Sequence, residues 1–170
     1  MGYKQKAFVC FDPDNDLHCW NLMKAWNEDG EISFNFHTAY KIHENKEGFP
    51  EIIVKRKIKE CLKGSRVLIV LIGNNTWNLI KYIRLEIEFA LANNIPIIAV
   101  NLNTRRKQDD LCPPLLRNEL VMYIAFGQKI MDVALNNWPE SHALYKMEGK
   151  SGPYYYFDSV YAKLVHQYVK

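Results

Sequence analysis

The sequence lacks the cysteine patterns of a disulfide-stabilised or zinc-binding protein. Its four cysteines, at positions 10, 19, 61 and 112, are far apart in the chain and form no CxxC pair. Small disulfide-rich proteins and zinc sites show recurring, closely spaced cysteines. The five histidines have no ligand spacing either, so we expect no metal site. Isolated cysteines of this kind are typical of a protein of the reducing cytoplasm.

Features that direct proteins to membranes or nucleic acids are also missing. The amino terminus, MGYKQKAFVCF, has no apolar stretch of signal-peptide length. No apolar run approaches the roughly 20 residues that a membrane-spanning helix needs. The formal net charge of +3 comes from interspersed charges of both signs, whereas nucleic-acid binding requires a concentrated basic surface. We therefore expect neither a membrane nor a nucleic acid as partner.

The common nucleotide-binding and hydrolase motifs are absent as well. The sequence contains no GxGxxG, no Walker lysine motif and no Ser-His-Asp elbow. Any catalytic function must therefore be inferred from the arrangement of the predicted strands and helices.

The clearest pattern lies between residues 65 and 100. An apolar run to Ile72 predicts a strand that is covered on both faces. Gly73-Asn74-Asn75-Thr76 then predicts a turn, and residues 96–100 predict a second buried strand. Between them, apolar residues recur at helical spacing from Asn78 onward, at Ile80, Ile83, Ile87 and Leu91. A strand, helix and strand in this order indicate a right-handed crossover in a parallel sheet.

The remaining chain repeats this alternation. Strands are predicted at 7–11, 32–36 and 121–126, and the alternating pattern of 32–36 indicates a sheet edge. The predicted helices start near Leu17 and cover 52–63, 129–137 and the end of the chain as far as Tyr168. We predict one three-layer α/β domain of flavodoxin-like type over residues 1–170, with a five-stranded, mainly parallel sheet. Its core covers about residues 5–140, and an irregular, aromatic C-terminal extension covers about 141–170.

In the 2-1-3-4-5 strand order of this fold class, the first and third strands are neighbours and ligands bind at their carboxyl ends. This order brings residues 11–16 close to residues 73–77. The polar loop at residues 38–50 is longer than a minimal connection, and such loops are often lids or contact surfaces.

Two glutamates of the central helix have different surroundings. Glu88 follows Arg84 by four residues and therefore belongs to a charged, solvated face. Glu86 follows Tyr82 by four residues and precedes Phe89 by three, so it is set among apolar groups. Burial disfavours the ionised form of an acid. This position suits two kinds of residue. One is a structural glutamate whose carboxylate reaches solvent or pairs with a lysine, and the other is a catalytic carboxylate.

Three stretches are similar to TIR and TIR-like domains, above all to the TIR-like proteins of the bacterial Thoeris anti-phage defence system. They are KAFVCFDPDND, LIVLIGNNTW and KYIRLEIEFALANNIPIIAV, and the similarity covers roughly the first hundred residues. The resemblance implies that Glu86 is the catalytic residue of an enzyme that splits NAD at the nicotinamide–ribose bond. It also implies a substrate-binding set that we expect to comprise Phe11, Asp12, Asp14, Asp16, Asn74, Trp77 and Tyr82.

The chemistry is compatible with one glutamate. Nicotinamide leaves as a neutral base from a cationic pyridinium, so no general acid is required, and the transition state resembles the oxocarbenium ion of glycoside cleavage. A carboxylate beside the ribose stabilises that positive charge, more strongly in apolar surroundings. NAD is then a substrate, and no cofactor is expected.

The resemblance further implies a cyclic ADP-ribose-type signal, because a group of the same molecule, rather than water, captures the ribosyl cation. This signal would act on a separate effector protein, and self-association of the enzyme is a further expectation.

Two other functions stay open. A non-catalytic TIR-like interaction module would use the 38–50 loop and the lysine-rich helix 52–63. A nucleoside deoxyribosyltransferase-like enzyme would use a glutamate as a covalent nucleophile.

Overall fold

Apolar runs form the strands of one sheet. A computed structural model of the chain describes residues 4–39, 49–78 and 81–166. Most of the predicted 38–50 loop, Leu79, Ile80 and Tyr168 lie outside these ranges. The strands are β1 (Gln5–Cys10), β2 (Phe34–His37), β3 (Val67–Ile72), β4 (Ile97–Asn101), β5 (Val121–Ala125) and β6 (Pro153–Tyr155).

The strands pair in the order β2-β1-β3-β4-β5-β6, and every pair is parallel. The predicted 2-1-3-4-5 order is therefore confirmed, and β2 lies at the edge that its alternating pattern indicated. β3 is central, and all of its residues are buried. The helices are α1 (Leu17–Glu28), α2 (Glu51–Leu62), α3 (Lys81–Ala92), α4 (Gln128–Met147) and α5 (Asp158–His166). Of these described helices, none is long and apolar enough to cross a membrane.

The helices cover the sheet on both faces. Helices α1, α4 and α5 pack on one face, called the α1 face here, and α2 and α3 pack on the other, the α3 face. Successive residues of a strand point to opposite faces. Val9 and Phe11 accordingly pack on the α1 face, whereas Phe8 and Cys10 pack on the α3 face. The end of β1 thus contributes to both layers of the core.

The prediction of five strands and an irregular C-terminal extension was wrong in detail. Residues Pro153–Tyr155 form β6, which extends the sheet beside β5, and α5 follows it. Helix α4 also continues beyond its predicted end at Asn137, through Pro139 to Met147. Aromatic packing stabilises this continuation, because Trp138 contacts the His142 ring edge-on at 5.9 Å and Tyr145 stacks on Tyr154 at 4.8 Å.

Both ends of the sheet carry features that limit further strand pairing. At β2, the side-chain amide of Asn27 donates to the carbonyl oxygen of Phe34 at 2.5 Å and accepts from the Phe36 N–H at 3.1 Å. At the other end, β6 is three residues long and begins with Pro153, which has no N–H. The Asn27 side chain therefore occupies backbone groups that a neighbouring strand would otherwise use.

Arg106 connects the C-terminal segment to the loop after β4. Its guanidinium lies 4.1 Å from the centre of the Tyr161 ring and 2.9 Å from an Asp158 carboxylate oxygen. The Tyr161 hydroxyl accepts a hydrogen bond from the Ala125 N–H at 3.1 Å. Tyr161 is buried, whereas Asp158 is 85% exposed, so the contact with the ring is the better shielded of the two.

Substitutions at Arg106 and Asp158 should separate these two contacts. We expect Arg106→Ala to lower the melting temperature by about 2–4 °C, which corresponds to about 1 kcal/mol in a domain of this size. Asp158→Asn should lower it by less than about 1 °C, because exposed ion pairs contribute little. Differential scanning fluorimetry of the two variants checks this. Equal losses would mean that the ion pair, not the ring contact, holds the segment.

Candidate functional site

Glu86 lies on α3 and is 1% exposed. Its carboxylate accepts a hydrogen bond from the thiol of Cys10 at the end of β1. Burial, and secondly the Glu86 carboxylate, raise the pKa of the Cys10 thiol well above its ordinary value. The thiol therefore stays protonated at neutral pH and remains a hydrogen-bond donor to Glu86.

The surroundings of Glu86 are largely apolar. Two isoleucines of α3 near it in sequence are fully buried: Ile83, three residues before it, and Ile87, directly after it. Tyr82 is partly buried and packs against the same α3-face core. Cys61 of α2 is also near enough to be influenced by Glu86. Burial raises the pKa of the Cys61 thiol, Lys6 opposes this, and Glu86 adds to the rise. Glu86 thus carries a carboxylate into a part of the core where water is scarce.

Glu88 has the solvated position that its spacing predicted. It forms an ion pair with Arg84 at 2.8 Å, and both side chains are well exposed. Two glutamates of one helix, two residues apart, therefore occupy opposite kinds of environment. Glu88 provides a matched comparison for any substitution of Glu86.

The loop after β1 is held by Asp12. This buried side chain accepts from the Asp14 N–H at 3.0 Å and from the Asn15 side-chain amide at 2.6 Å. An aspartate that accepts from the backbone two residues later stabilises a turn. Asp12 thereby shapes the loop, while the Asp14 side chain is exposed to solvent.

Asp16 precedes α1 and is 6% exposed. Its side chain makes no capping hydrogen bond to the helix and lies directly against Gly73. A Cβ atom at Gly73 would be 2.4 Å from Asp16 Oδ2, so only glycine leaves room for this carboxylate. Burial raises the pKa of Asp16 to about 6, with a further contribution from Asp12 and an opposing one from His18.

The raised pKa of Asp16 predicts a pH-dependent gain from Asp16→Asn. The folded pKa of about 6 exceeds the ordinary value of 3.8, so ionisation above pH 6 destabilises the folded state. The variant should be more stable by about 1–3 kcal/mol at pH 8. This gain should shrink as the pH falls through 6 and vanish near pH 4, where the aspartate is protonated in both states.

Urea unfolding at pH 8 and pH 4 measures this difference. Asparagine caps helices as well as aspartate does, so the substitution leaves the start of α1 intact. Asp29→Asn, at the exposed opposite end of α1, should show no comparable gain. A loss of stability for Asp16→Asn at pH 8 would contradict the prediction.

The turn after β3 is fixed by Thr76. Its buried hydroxyl accepts from the Gly73 N–H at 2.9 Å and donates to the Leu71 carbonyl at 3.3 Å. The Asn74 side chain is left exposed, and Trp77, in the short 3-10 helix Thr76–Asn78, is 50% exposed. The turn thus presents an amide and an indole at the carboxyl edge of the sheet.

The structure places the predicted site residues in separate groups. Asp16 and Asn74 line one cavity of about 440 Å³ at the carboxyl edge. Glu86 and Tyr82 belong to the α3 face. The Phe11 ring stacks on Trp20 at 5.8 Å on the α1 face, so the sheet separates it from Glu86.

Sequence reasoning missed the neighbour of Glu86 and part of the cavity. Because successive residues of a strand point to opposite faces, Cys10 and Phe11 had to lie on different faces of the sheet, but the uniformly apolar β1 did not indicate which of them adjoins α3. His18, Cys19 and Asn103, which also line the cavity, had no sequence signal. No group of three or more potential metal ligands lies within the described ranges.

Comparison with known proteins identifies the class and then the family. The parallel sheet of order 2-1-3-4-5, extended by one strand, and its flanking helices define a three-layer α/β domain of flavodoxin-like type. A family model for the "Thoeris protein ThsB, TIR-like domain" matches residues 8–107. The chain therefore belongs to the family of TIR-like domains of Thoeris protein ThsB.

Comparison with solved structures gives a distant similarity, and comparison with curated proteins gives none. The chain is similar to the TIR domains in the structure of the activated Roq1 resistosome directly recognizing the pathogen effector XopQ. The TM-score is 0.41, the sequence identity is 13%, and the match covers 60% of this chain and 60% of that chain. No curated protein matches the sequence.

Proposed function

We propose that the protein cleaves the nicotinamide–ribose bond of NAD, with Glu86 as the catalytic carboxylate. The observation that carries the proposal is the position of Glu86, a buried acid on α3 that accepts a hydrogen bond from the Cys10 thiol. A fixed negative charge in apolar surroundings stabilises a developing cation much more strongly than the same charge in water.

Glu86 acts on the ribose in this mechanism. As the bond to nicotinamide lengthens, positive charge develops on the ribose ring, and the carboxylate stabilises it. Nicotinamide leaves with the bonding electron pair as a neutral molecule, so no proton donor is needed. The Cys10 thiol holds one orientation of the carboxylate, which reduces the rearrangement required in the transition state.

The mechanism includes an opening step, because Glu86 is 1% exposed. A ribose can reach the carboxylate only after neighbouring side chains move. Movements of this kind accompany substrate binding in many enzymes and can limit the overall rate. Self-association of the protein is one event that could favour the open state.

Capture of the ribosyl cation by a group of the same molecule would give a cyclic ADP-ribose-type product. Membership of the Thoeris family supports a role for this product as a diffusible cytoplasmic signal in anti-phage defence. A separate effector protein would then bind the signal. NAD is consumed in this scheme, and no cofactor takes part.

Incubation of concentrated protein with NAD tests the proposal. Chromatography and mass spectrometry should show loss of NAD, release of nicotinamide and formation of an ADP-ribose species, none of which occurs with the Glu86→Gln protein. A cyclic product has the mass of ADP-ribose less one water. Exchange of nucleobases with intact NAD would indicate a deoxyribosyltransferase-like enzyme. Intact NAD with both proteins, also under crowded conditions, would indicate a non-catalytic module.

A further inference from the structure

A second cavity lies at the amino edge of the sheet, opposite the crevice that Asp16 and Asn74 line. Its volume is about 510 Å³, and we call it the Arg66 cavity. Arg66 and Pro96, which directly precede β3 and β4, form its floor together with Asn94, and the C-terminal half of α4 forms its wall. Small-molecule sites typically have volumes of about 300–1,000 Å³. The proposed mechanism uses none of these residues.

The charged side chains that line the Arg66 cavity are cationic. Arg66 and Lys146 both line it, and no aspartate or glutamate of the described ranges does. Both residues are exposed, and neither forms an ion pair with another residue that the structure describes. Two positive charges beside one cavity, with no counterion, raise the local concentration of anions. The lining therefore favours a ligand with a negative charge.

The helix dipoles at this edge oppose an anion, but they are too weak to reverse the preference. Helices α3 and α4 end near the cavity, and the C-terminal end of a helix carries about half a negative charge. Two such ends carry about one negative charge, against the two full positive charges of Arg66 and Lys146. An adjoining cavity of about 360 Å³ also borders Arg66, but Glu140 lines it. An anion is therefore favoured in the Arg66 cavity rather than in its neighbour.

Apolar groups supply most of the remaining wall. Pro96, Pro139, Ala143 and Met147 line the cavity, and Met147 is 86% exposed. Covering apolar surface of this kind is favourable, and the flexible thioether of methionine adapts to ligands of different shape. An inorganic anion would leave this surface in contact with water. An anionic group attached to an apolar ring or chain would use both kinds of lining.

His142 provides a reporter inside the cavity. It lines the cavity and is only 5% exposed. Burial, and secondly the nearby Lys146, lower the pKa of the imidazole, so the ring is neutral at pH 7. Its NMR signals should respond to a ligand that enters the cavity and not to one that binds elsewhere on the surface.

We propose that the Arg66 cavity binds a small anion with an apolar body, a phosphate monoester or a carboxylate, whose oxygens accept hydrogen bonds from Arg66 and Lys146. Arginine and lysine both recognise these groups through charge-assisted hydrogen bonds. The apolar body covers Pro139 and Met147. Glu86 does not line the cavity, so this assignment stands or falls independently of NAD cleavage.

NMR titrations with four probes test the chemistry of the ligand. Phenyl phosphate and benzoate combine a ring with an anion, whereas inorganic phosphate has only the charge and phenol only the ring. At least one of the two combined probes should shift the signals of His142, identified with a His142→Gln variant, with a Kd of about 1 mM. The tighter of the two shows which anion the cavity takes.

The two simple probes should bind at least about 10-fold more weakly than the tighter combined probe. Equally strong binding of phenol would show an apolar groove without anion recognition, and equally strong binding of inorganic phosphate would show that the apolar wall has no part. Either result would overturn the assignment. So would the absence of any His142 shift with phenyl phosphate and benzoate at concentrations up to about 10 mM.

Charge variants test the position of the site. Arg66→Gln and Lys146→Gln should each weaken binding of the tighter probe by about 10-fold, as for the loss of a hydrogen bond between charged groups. Lys63→Gln removes an exposed positive charge that does not line the cavity, so binding should stay within about twofold of wild type. If Lys63→Gln weakens binding as much as Arg66→Gln does, the attraction is non-specific and the assignment is wrong.

A variant of the apolar wall gives an independent check. Ala143 lines the cavity at an exposed position of α4, and glutamate is a good helix former, so Ala143→Glu should fold normally. The new carboxylate would pair with the cations and repel an anionic ligand, and the His142 shift should be lost. Circular dichroism confirms that the variant is folded. A folded Ala143→Glu protein that binds the probe as tightly as wild type would overturn the assignment.

Discussion

Replacement of Glu86 by glutamine is expected to abolish NAD cleavage, with a rate loss of at least about 1,000-fold. Glutamine keeps the shape of the side chain and removes the charge. The amide can still pair with the Cys10 thiol, so the packing between α3 and β1 should persist. What is lost is the electrostatic stabilisation of the ribosyl cation, which the buried position of Glu86 makes strong.

Glu88→Gln is the matched control for this experiment. It removes one negative charge from the same helix at an exposed position, and its NAD cleavage should stay within about twofold of wild type because exposed ion pairs contribute little. Release of nicotinamide, followed by chromatography, compares the three proteins, and thermal unfolding confirms that each is folded. If Glu86→Gln retains a tenth or more of the wild-type rate, Glu86 is not the catalytic carboxylate.

Gly73→Ala is expected to cause the largest loss of stability among the substitutions considered. The new Cβ atom would be 2.4 Å from Oδ2 and 2.5 Å from Oδ1 of Asp16. Asp16 is short and buried, so it cannot simply turn away. Overpacking of this kind destabilises a protein by about 1–3 kcal/mol. For a domain of this size the melting temperature should fall by about 4–8 °C at the middle of that range.

A double-mutant cycle identifies the cause of that loss. In an Asp16→Ala background the clashing carboxylate is absent, so Gly73→Ala should cost less than about 0.5 kcal/mol. The coupling free energy between the two positions should therefore be at least about 1 kcal/mol, measured by urea unfolding of all four proteins. Equal costs of Gly73→Ala in both backgrounds would show that backbone conformation, not the contact with Asp16, requires glycine at this position.

Strong local patterns explain why most of the fold was predictable. The apolar run of β3 is buried along its whole length, and the parallel pairing of β3 with β4 then follows from the crossover between them. Gly64 has a φ of +80°, as expected for a helix-ending glycine. The predicted helix ended at Asn137, whereas α4 continues through Pro139 to Met147, although proline usually ends a helix. Aromatic contacts far along the chain, such as that of Tyr145 with Tyr154, were not visible in local sequence.

The site was predictable only in part, for a geometric reason. Helical spacing separated Glu86 from Glu88, and the structure places them in the buried and exposed environments expected. Sequence spacing at the end of β1 gives less information about which face of the sheet a side chain occupies. Cys10 and Phe11 are adjacent in sequence, yet one contacts Glu86 and the other stacks on Trp20 on the far side of the sheet. Which of them adjoins α3 depends on the register of β1, which local sequence does not specify.

The amide of Asn27 has a consequence for how copies of the protein can assemble. An open sheet can act as a template on which identical sheets join edge to edge. Here Asn27 already satisfies the outer backbone groups of Phe34 and Phe36, and β6 at the opposite edge is only three residues long. Polymerisation through a continuous intermolecular sheet is therefore disfavoured at both ends. Any filament of this protein would have to grow through its helices and loops, surfaces whose contacts can be reversed without opening the sheet.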